Sequence, residues 1–343
     1  MCLEWPGGEG HAGGVGRYVY RLAQEMRERV ELTVVGPANS RQLAGVEVVA
    51  MRSARSRLDR YYCLPVEARH IVAATTPDLV HAHGDDWALE RHPPVVRSFY
   101  GRSWSEAMTS RGWRRWNHVL LAGLEHLSAR RASIRLGIAP ESVTAFRCHY
   151  LFPPLARLHT PAARAPTAEP SVLFIGSHQG RKRGWLVEQT VDAVQNPLGG
   201  PLRLVVVGPE TDRGSWAEWV EHRSGLDDEG VRHLLAAAWV LVAPSEYEGF
   251  GIPAIEALHA GVAVITSPTP GSEYLLQQAG VEIPLLVATD DDLPRLLLQR
   301  LRHGPSLSDA ERRAAHSRVH SLVSESSAER LERIYESLHP RFG

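Results

Sequence analysis

The sequence predicts an α/β protein of two domains with parallel sheets, and three observations support this prediction. Residues 239–266 contain two short apolar runs of strand type, separated by a glycine-containing loop and a helix. A glycine-rich turn near the N-terminus leads into a helix and a strand in a similar order. The chain has 343 residues, enough for two domains, and residues 152–170 are rich in proline and alanine, as expected of an interdomain linker.

Composition and charge exclude several classes of protein. The chain carries 38 basic and 39 acidic residues, so we expect no general affinity for polyanions and no nucleic-acid partner. Its three cysteines are far apart, which fits neither a disulfide framework nor a zinc site. The N-terminus does not have the pattern of a signal peptide, and the longest apolar stretch, 234–243, is too short to span a bilayer. These features predict a reduced, cytoplasmic protein.

The first half of the chain reads as a succession of strands and helices. Residues 1–4 are predicted to form a very short first strand, followed by the glycine-rich turn and a helix. The apolar face of this helix consists of Val15, Val19, Leu22, Ala23 and Met26. Further strands are predicted at 30–35, 46–51, 78–82 and 94–99, with a helix at 64–75.

A long helix is predicted at 104–131, and it allows two interpretations. Its regularly spaced large apolar residues are Trp113, Trp116, Leu120, Leu124 and Leu127. Arginines cluster on another face, and tryptophan beside arginine also occurs on helices that lie on a membrane surface. We favour a buried apolar stripe with a solvated basic face, and contact with a membrane surface remains the alternative.

The second half begins with a strand at 171–175, the loop GSHQGRKRGW and a helix through about 194. The loop contains Lys182, the only lysine in the sequence, within a basic run that a solvated turn would also explain. A strand is predicted at 202–207, and a further helix begins at 270–273. The acidic run 290–292 is expected to cap the helix that follows it, and residues 306–339 are strongly helical in pattern.

The loop between the two apolar runs of 239–266 carries the residues best suited to bind a ligand. Gly249 and Gly251 remove side chains just before the helix, which Pro253 can begin and Gly261 can end. Amide groups at such a helix N-terminus can bind a phosphate. Glu248 and Glu256 could then flank one ligand, one near its phosphate end and the other on its hydroxyls. Two solvated glutamates on a helix are the alternative explanation.

The string PSEYEGFGIPAIEALHAGVAVI closely resembles the signature of the retaining glycosyltransferases of family 4. This resemblance implies the GT-B fold, in which two Rossmann-like domains face each other across a cleft. It also implies transfer of a sugar from a nucleoside diphosphate sugar to an acceptor hydroxyl with retention of configuration. In that family the glutamate corresponding to Glu248 lies beside the transferred sugar and its phosphate, and the one corresponding to Glu256 holds the ribose. Gly249, Phe250, Gly251 and Ile252 belong to the same donor site.

The resemblance extends to other donor-binding positions. Gly13 and Gly14 match a glycine pair that approaches the donor pyrophosphate, and Lys182 matches a lysine that grips the diphosphate. Lys182 and Glu248 are therefore the predicted catalytic residues. The arginine that the family places beside this lysine is Ser177 here, and Arg181 or Arg183 could substitute for it; we count Arg181 among the donor-binding residues.

The acceptor side is predicted from residues of the first domain. His83, Asp85 and Asp86 lie at or just past the end of the predicted strand 78–82, the edge where ligands sit in open parallel sheets. His81 and His83 share one strand face, which favours simple packing, although two histidines could also bind a metal. Tyr100 stands where many family members carry a histidine, and its hydroxyl could still bond a sugar. His11, in the glycine-rich turn, completes the candidates.

The predicted organisation is an acceptor-side domain at 1–165, a nucleotide-sugar domain at 166–320 and a final helix at 321–343 that returns to the first domain. We expect no cofactor and no metal, with a nucleoside diphosphate sugar and an acceptor as the ligands. A non-catalytic, nucleotide-binding partner subunit and a nucleotide-sugar epimerase are the alternatives. The family begins with a longer first strand than residues 1–4, so a clipped start is also expected.

Overall fold

The computed structural model describes residues 1–7, 14–101, 103–104, 112–153, 161–277 and 283–338. The chain forms two compact units. The first contains Met1–Arg157 together with Val323–Gly343, and the second contains Leu158–Leu322. The division along the chain therefore falls before the sequence-based boundary at 165, within the proline- and alanine-rich stretch.

The first unit is built on short parallel strands. Two of them form one sheet, in the order β1-β2, and four form another, in the order β3-β4-β5-β6. The strands are β1 Thr33–Gly36, β2 Glu47–Ala50, β3 Val80–Ala82, β4 Val95–Phe99, β5 Ile134–Gly137 and β6 Tyr150–Leu151. The helices are α1 Gly14–Met26, α2 Arg57–Tyr62, α3 Leu64–Thr75, α4 Trp113–Arg131 and α5 Pro140–Phe146.

Residues 1–4 do not form the predicted first strand. The backbone of this segment instead makes single hydrogen bonds on both sides. Cys2 N donates to Val35 O at 3.0 Å, and His83 N donates to Met1 O at 3.0 Å. The segment thus lies between β1 and the end of β3, but it makes too few regular bonds for a strand ladder.

The core of the first unit forms around the predicted face of α1. Val19, Leu22, Ala23 and Met26 are buried, whereas Val15 is half-buried at the edge. They pack with strand residues such as Leu136 and with three residues of the last helix, Ala328, Leu331 and Ile334. That helix, Ala328–Glu336, starts at Ser327, whose side chain accepts a hydrogen bond from Arg330 N. The far end of the chain is therefore part of this core.

Helix α4 buries a different face from the one we favoured. Trp116 is 69% exposed and Leu120 is 56% exposed. The residues that α4 buries are His118, Leu121, Ala122, Ser128 and Ala129. These residues also recur at helical spacing, so α4 contains two competing stripes, and the neighbouring elements bury the one with smaller side chains. The prediction of a buried tryptophan stripe is wrong for these two positions.

The second unit is a six-stranded, fully parallel sheet in the order β12-β11-β10-β7-β8-β9. Its strands are β7 Ser171–Ile175, β8 Arg203–Val207, β9 Glu221–Arg223, β10 Val240–Ala243, β11 Ala263–Thr266 and β12 Leu285–Val287. Its helices are α6 Gly184–Leu198, α7 Asp228–Ala237, α8 Ile252–His259, α9 Pro270–Gln277, α10 Leu293–His303 and α11 Asp309–Glu325, and the last helix, Ala328–Glu336, is α12. The predicted final helix is thus two helices.

The strand, loop, helix and strand predicted at 239–266 are confirmed as β10, α8 and β11. Gly251 precedes α8 with φ +75°, and Gly261 follows it with φ +72°, a backbone region that glycine adopts at low cost. The central strands are buried on both faces, as parallel strands covered by helices should be. Within the ranges described above, no helix combines the length and apolar character needed to cross a membrane.

Candidate active site

The loop after β7 brings the lysine against the end of the sheet. This loop contains a single 3₁₀ turn, Gly180–Lys182. A Cβ on Gly176 would lie 3.0 Å from Lys182 Cβ and 2.9 Å from the ring of Phe174, so only glycine leaves room for the lysine stem. Lys182 is therefore held close to the carboxyl edge of β7, where ligands bind in parallel sheets.

The lysine and its neighbouring arginine meet the predicted catalytic glutamate. Lys182 Nζ is hydrogen-bonded to Glu248 Oε2, although the two residues are 66 positions apart in sequence. Arg181 Nη1 lies 3.3 Å from the same oxygen and also donates to Tyr247 O at 3.0 Å. The side chains of Lys182 and Glu248 are each 19% exposed. One ammonium and one guanidinium thus converge on one carboxylate at the rim of a pocket.

The backbone of the glutamate loop is anchored independently of this ion pair. Glu246 N donates to Arg181 O at 2.8 Å, and Gly271 N donates to Glu248 O at 3.2 Å. Phe250 is buried, and a Cβ on Gly271 would lie only 2.9 Å from its backbone. The loop is therefore fitted closely against the first turn of α9.

The pocket lies at the N-terminal end of α8. Gly251 occupies the N-cap position and has no side chain with which to cap the first amides of the helix. Such amides carry partial positive charge and favour an anion. The lining of the pocket includes the polar residues Lys182, Ser245, Glu248, Thr266, Thr269 and Ser272 and the apolar residues Phe174, Leu241 and Leu275.

Arg183, the other candidate substitute for the family arginine, is bound to three other groups of the second unit. It donates to Pro244 O at 2.6 Å and to Ser267 Oγ at 2.9 Å, and it pairs with Asp290 at 2.7 Å. Asp292 occupies the predicted N-cap position of α10, but its carboxylate accepts hydrogen bonds from Thr289 and Arg295 rather than capping the helix. Of the two arginines, Arg181 is the one that lies on Glu248.

The other donor-side candidates are spread along the same region and the first unit. Glu256 lies one turn into α8 and is half-buried, as are Gly249 and Ile252. Gly14 is the first residue of α1. Gly13 and His11 lie outside the described residues. The donor-binding roles of all these residues stay predictions.

In the first unit, His81 in β3 and His83 just after the strand lie side by side on one face, as predicted. Their ring centroids are 4.0 Å apart. His81 is hydrogen-bonded through its two ring nitrogens to Tyr335 at 2.6 Å and Ser98 at 2.8 Å. His83 Nδ1 is hydrogen-bonded to the hydroxyl of Tyr100 at 2.7 Å. Tyr100, which replaces the family histidine, is thus hydrogen-bonded to the histidine that follows the neighbouring strand β3.

Burial sets the protonation states of this cluster. Desolvation lowers the pKa of His81 to about 3 and the pKa of His83 well below its usual value, so both rings are neutral at pH 7. The same cause raises the pKa of Tyr100, which keeps its phenol protonated. Asp85, in a left-handed conformation with φ +45°, has its pKa raised to about 6 by burial, although Arg97 and Arg60 oppose the shift.

Sequence reasoning named Asp86 but missed three members of this cluster, Arg97, Tyr18 and Tyr335. Asp86 forms a buried ion pair with Arg97 at 2.6 Å, and Tyr335 reaches His81 from α12. The hydroxyl of Tyr18 is buried and has no hydrogen-bond partner among the residues that the structure describes. Tyr18 and Tyr335 lie on the inward faces of amphipathic helices, and that polar group on an apolar face was the signal available in the sequence.

Two family models match the chain, one after the other along its length. The family model "Glycosyltransferase Family 4" matches residues 12–160, and "Glycosyl transferases group 1" matches residues 169–303. An O-antigen chain mannosyltransferase B of Escherichia coli is 32% identical over 143 residues, which cover 38% of this chain. That match spans 36% of the length of the E. coli protein.

Two further proteins are similar over nearly the whole chain. A 2-deoxystreptamine N-acetyl-D-glucosaminyltransferase of Streptomyces fradiae is 25% identical over 97% of this chain and 92% of its own length. The Anabaena protein Alr3699/HepE, solved in complex with UDP and glucose, matches with a TM-score of 0.67 at 14% identity. That match covers 99% of this chain and 98% of the solved one, and it shows the fold, which is GT-B. The family models together match both units, and the chain belongs to glycosyltransferase family 4, the group 1 glycosyl transferases.

Proposed function

We propose that this protein transfers a sugar from a nucleoside diphosphate sugar to a hydroxyl group of an acceptor. The observation that carries the proposal is the convergence of Lys182, Arg181 and Glu248 at the N-terminal end of α8. An ammonium and a guanidinium are natural partners for a diphosphate, and the helix amides add further positive potential. The sugar-transferase names of the relatives and the UDP bound to the solved neighbour support this reading.

The proposed chemistry depends on charge that builds on the departing diphosphate. Lys182, Arg181 and the amides of 249–251 stabilise that charge, which is greater in the transition state than in the bound donor. Because these groups supply positive charge, we propose that no divalent metal is needed. Glu248 orients or stabilises the cationic sugar, and Glu256 accepts hydrogen bonds from the ribose. Gly13 and Gly14 approach the pyrophosphate, and retention of configuration follows the family resemblance.

On the acceptor side, we propose that the first unit binds hydroxyl groups through the cluster at the ends of β3 and β4. The hydroxyl of Tyr100 is oriented by neutral His83, and the carboxylate of Asp85 can accept a hydrogen bond above pH 6. His11 is the remaining candidate. The acceptor named for the S. fradiae relative, 2-deoxystreptamine, makes a polyhydroxylated ring a reasonable first choice to test.

The role of Lys182 can be tested by replacing it with alanine. We expect turnover to fall by about 10²-fold to 10³-fold, the usual effect of removing one group that stabilises transition-state charge. The melting temperature should change little, because the loop backbone has its own hydrogen bonds. Arg295→Ala, on the exposed side of α10 in the same unit, serves as the control. Wild-type turnover in the Lys182→Ala variant would remove this residue from the mechanism.

Donor binding can be tested with a thermal-shift panel of UDP, GDP, ADP and dTDP, each with magnesium or with a chelator. One diphosphate at 100 times its Kd should stabilise the protein by about 2.7 kcal/mol, and the chelator should not change the shift. Dependence on magnesium would contradict the metal-free proposal. Selective binding without any transfer or hydrolysis by the purified protein would favour the partner-subunit alternative.

A further inference from the structure

We infer that Glu248 acts as an internal ligand of the diphosphate site, which its carboxylate occupies until the donor displaces it. The inference rests on the proposed function, because it concerns the same cations. A single oxygen, Glu248 Oε2, accepts hydrogen bonds from Lys182 Nζ, from Arg181 Nη1 at 3.3 Å and from Ser245 Oγ at 3.3 Å. The groups predicted to grip a phosphate are thus already bound to an anion within the same chain.

Competition follows from the chemistry of the donors. A carboxylate oxygen and a phosphate oxygen accept the same charge-assisted hydrogen bonds, so one set of N–H groups cannot satisfy both. Lys182 and Glu248 are each only 19% exposed, and a largely buried charge without a partner is costly. The exchange of one anion for another therefore avoids a state in which the ammonium lies buried and unpaired.

The glutamate can leave the cations without unfolding its loop. Its carbonyl oxygen is held by Gly271 N, and the loop is held by the bond from Glu246 N to Arg181 O. Neither bond involves the carboxylate. Displacement by a diphosphate consequently needs only side-chain rotation, and it frees the carboxylate inside the pocket for the sugar. Donor binding and the positioning of Glu248 become one event.

A neighbouring ion pair provides a matched control. Arg183 and Asp290 are 2.7 Å apart, and Arg183 belongs to the same loop as Lys182. Arg183 is, however, also held by Pro244 O and Ser267 Oγ, so it stays engaged with the protein. Removing the charge of Asp290 therefore also removes one negative charge beside a cation of this loop, but it frees neither Lys182 nor Arg181.

The test is calorimetric titration of the wild type, Glu248→Gln and Asp290→Asn with UDP, GDP, ADP and dTDP at fixed ionic strength. Glu248→Gln should bind one of these diphosphates about tenfold tighter than the wild type, because it no longer competes as an anion. Asp290→Asn should change the affinity by less than about twofold. Equal tightening in both variants would show a general charge effect and overturn the inference.

A double-mutant cycle gives a second readout. In a Lys182→Met background the pair between Lys182 and Glu248 is absent, and only Arg181 and Ser245 still bind the carboxylate. The gain from Glu248→Gln should therefore be smaller than in the wild-type background. An undiminished gain in that background would overturn the inference. Glu248→Ala serves as a second variant if the glutamine does not fold, and circular dichroism melting verifies each protein.

The outcomes also separate the inference from the proposed function. If the wild type binds a diphosphate and neither Glu248 variant binds it tighter, the inference is wrong and the donor site stands. If only the Glu248 variants bind, the internal ligand is supported in its strongest form. If no variant binds UDP, GDP, ADP or dTDP, the cations do not form a diphosphate site. The inference and the proposed function are then both wrong.

Discussion

At the scale of single residues, Asp85 shows what the tertiary environment does to an ordinary side chain. Its backbone is left-handed, with φ +45°, and burial raises the pKa of its carboxyl to about 6. The nearby guanidinium groups are already paired, Arg97 with Asp86 and Arg60 with Glu4. Local strain and a desolvated carboxylate together are common at functional sites. This is the physical support for placing Asp85 on the acceptor side.

Asp85→Asn should stabilise the protein at neutral pH and not in acid. The folded pKa is raised above the ordinary value of 3.8, so the folded state binds a proton more tightly than the unfolded state does. The free energy of unfolding of the wild type therefore falls as pH rises from about 4 to 6, and the stability lost in this range is not regained above pH 6. Asparagine tolerates this conformation. We expect Asp85→Asn to raise the free energy of unfolding by about 2 kcal/mol at pH 7.5 and to leave it unchanged at pH 4.

Urea unfolding at the two pH values measures this difference. Asp309→Asn, whose side chain is exposed, is the control and should be nearly neutral at both. An equal effect of Asp85→Asn at pH 4 and pH 7.5 would contradict the buried, raised-pKa carboxyl.

At the scale of elements, α4 shows that periodicity alone does not tell which face of a helix is buried. The helix carries large apolar side chains on one face and smaller ones on another, both at helical spacing. The structure buries Leu121 and Ala122 and leaves Trp116 and Leu120 exposed. By contrast, α1 has a single apolar face, and the structure largely buries it as predicted.

Alanine substitutions on the two faces of α4 should therefore differ sharply. Leu121→Ala should lower the free energy of unfolding by about 2 to 5 kcal/mol, because it leaves a cavity. Trp116→Ala should change it by less than about 0.5 kcal/mol, since the ring makes few buried contacts. Urea unfolding of the two variants measures both. Comparable losses would mean that the tryptophan face is covered in solution.

At the scale of the whole molecule, the chain does not complete its first unit until its C-terminal part is in place. Residues 323–343 belong to the first unit, although the second unit lies between them and the rest of it in sequence. Leu331 and Ile334 of α12 are buried in the core, and Glu332 pairs with Arg29 at 2.6 Å. Tyr335 adds its hydrogen bond to His81.

Leu331→Ala should consequently destabilise the first unit, by about 2 to 5 kcal/mol, despite its position near the chain end. Hydrogen exchange followed by mass spectrometry should show faster exchange in α1 and β5, with little change in β7, β10 and β11. Arg333→Ala, on the exposed face of the same helix, is the control. Faster exchange confined to α12 itself would contradict a role for the helix in the core.

Much of the fold and part of the candidate site were predictable because they depend on neighbours in sequence. The glycines around α8 provide the left-handed turns at its two ends, and the β-branched runs form β10 and β11. The same motif singled out Glu248, and the lone lysine singled out Lys182. Residues 1–4 do not form a strand because they make only a single backbone hydrogen bond to each neighbouring segment. The segment itself does not specify the partner or the register that a regular ladder needs.

The amino-acid sequence by itself thus determined the parallel crossover at 239–266, its glycine-dependent turns, the strands β7 and β8 and the family, but not the short strands β5, β6, β9 and β12. Each of the features that it did determine depends on spacing over a few residues, which the sequence states directly. Only the tertiary structure decided that Lys182 and Arg181 lie on the carboxylate of Glu248, that burial shifts the pKa of Asp85, and which face of α4 is covered. These properties depend on distances and burial between segments far apart in the chain, and such distances exist only once the chain has folded.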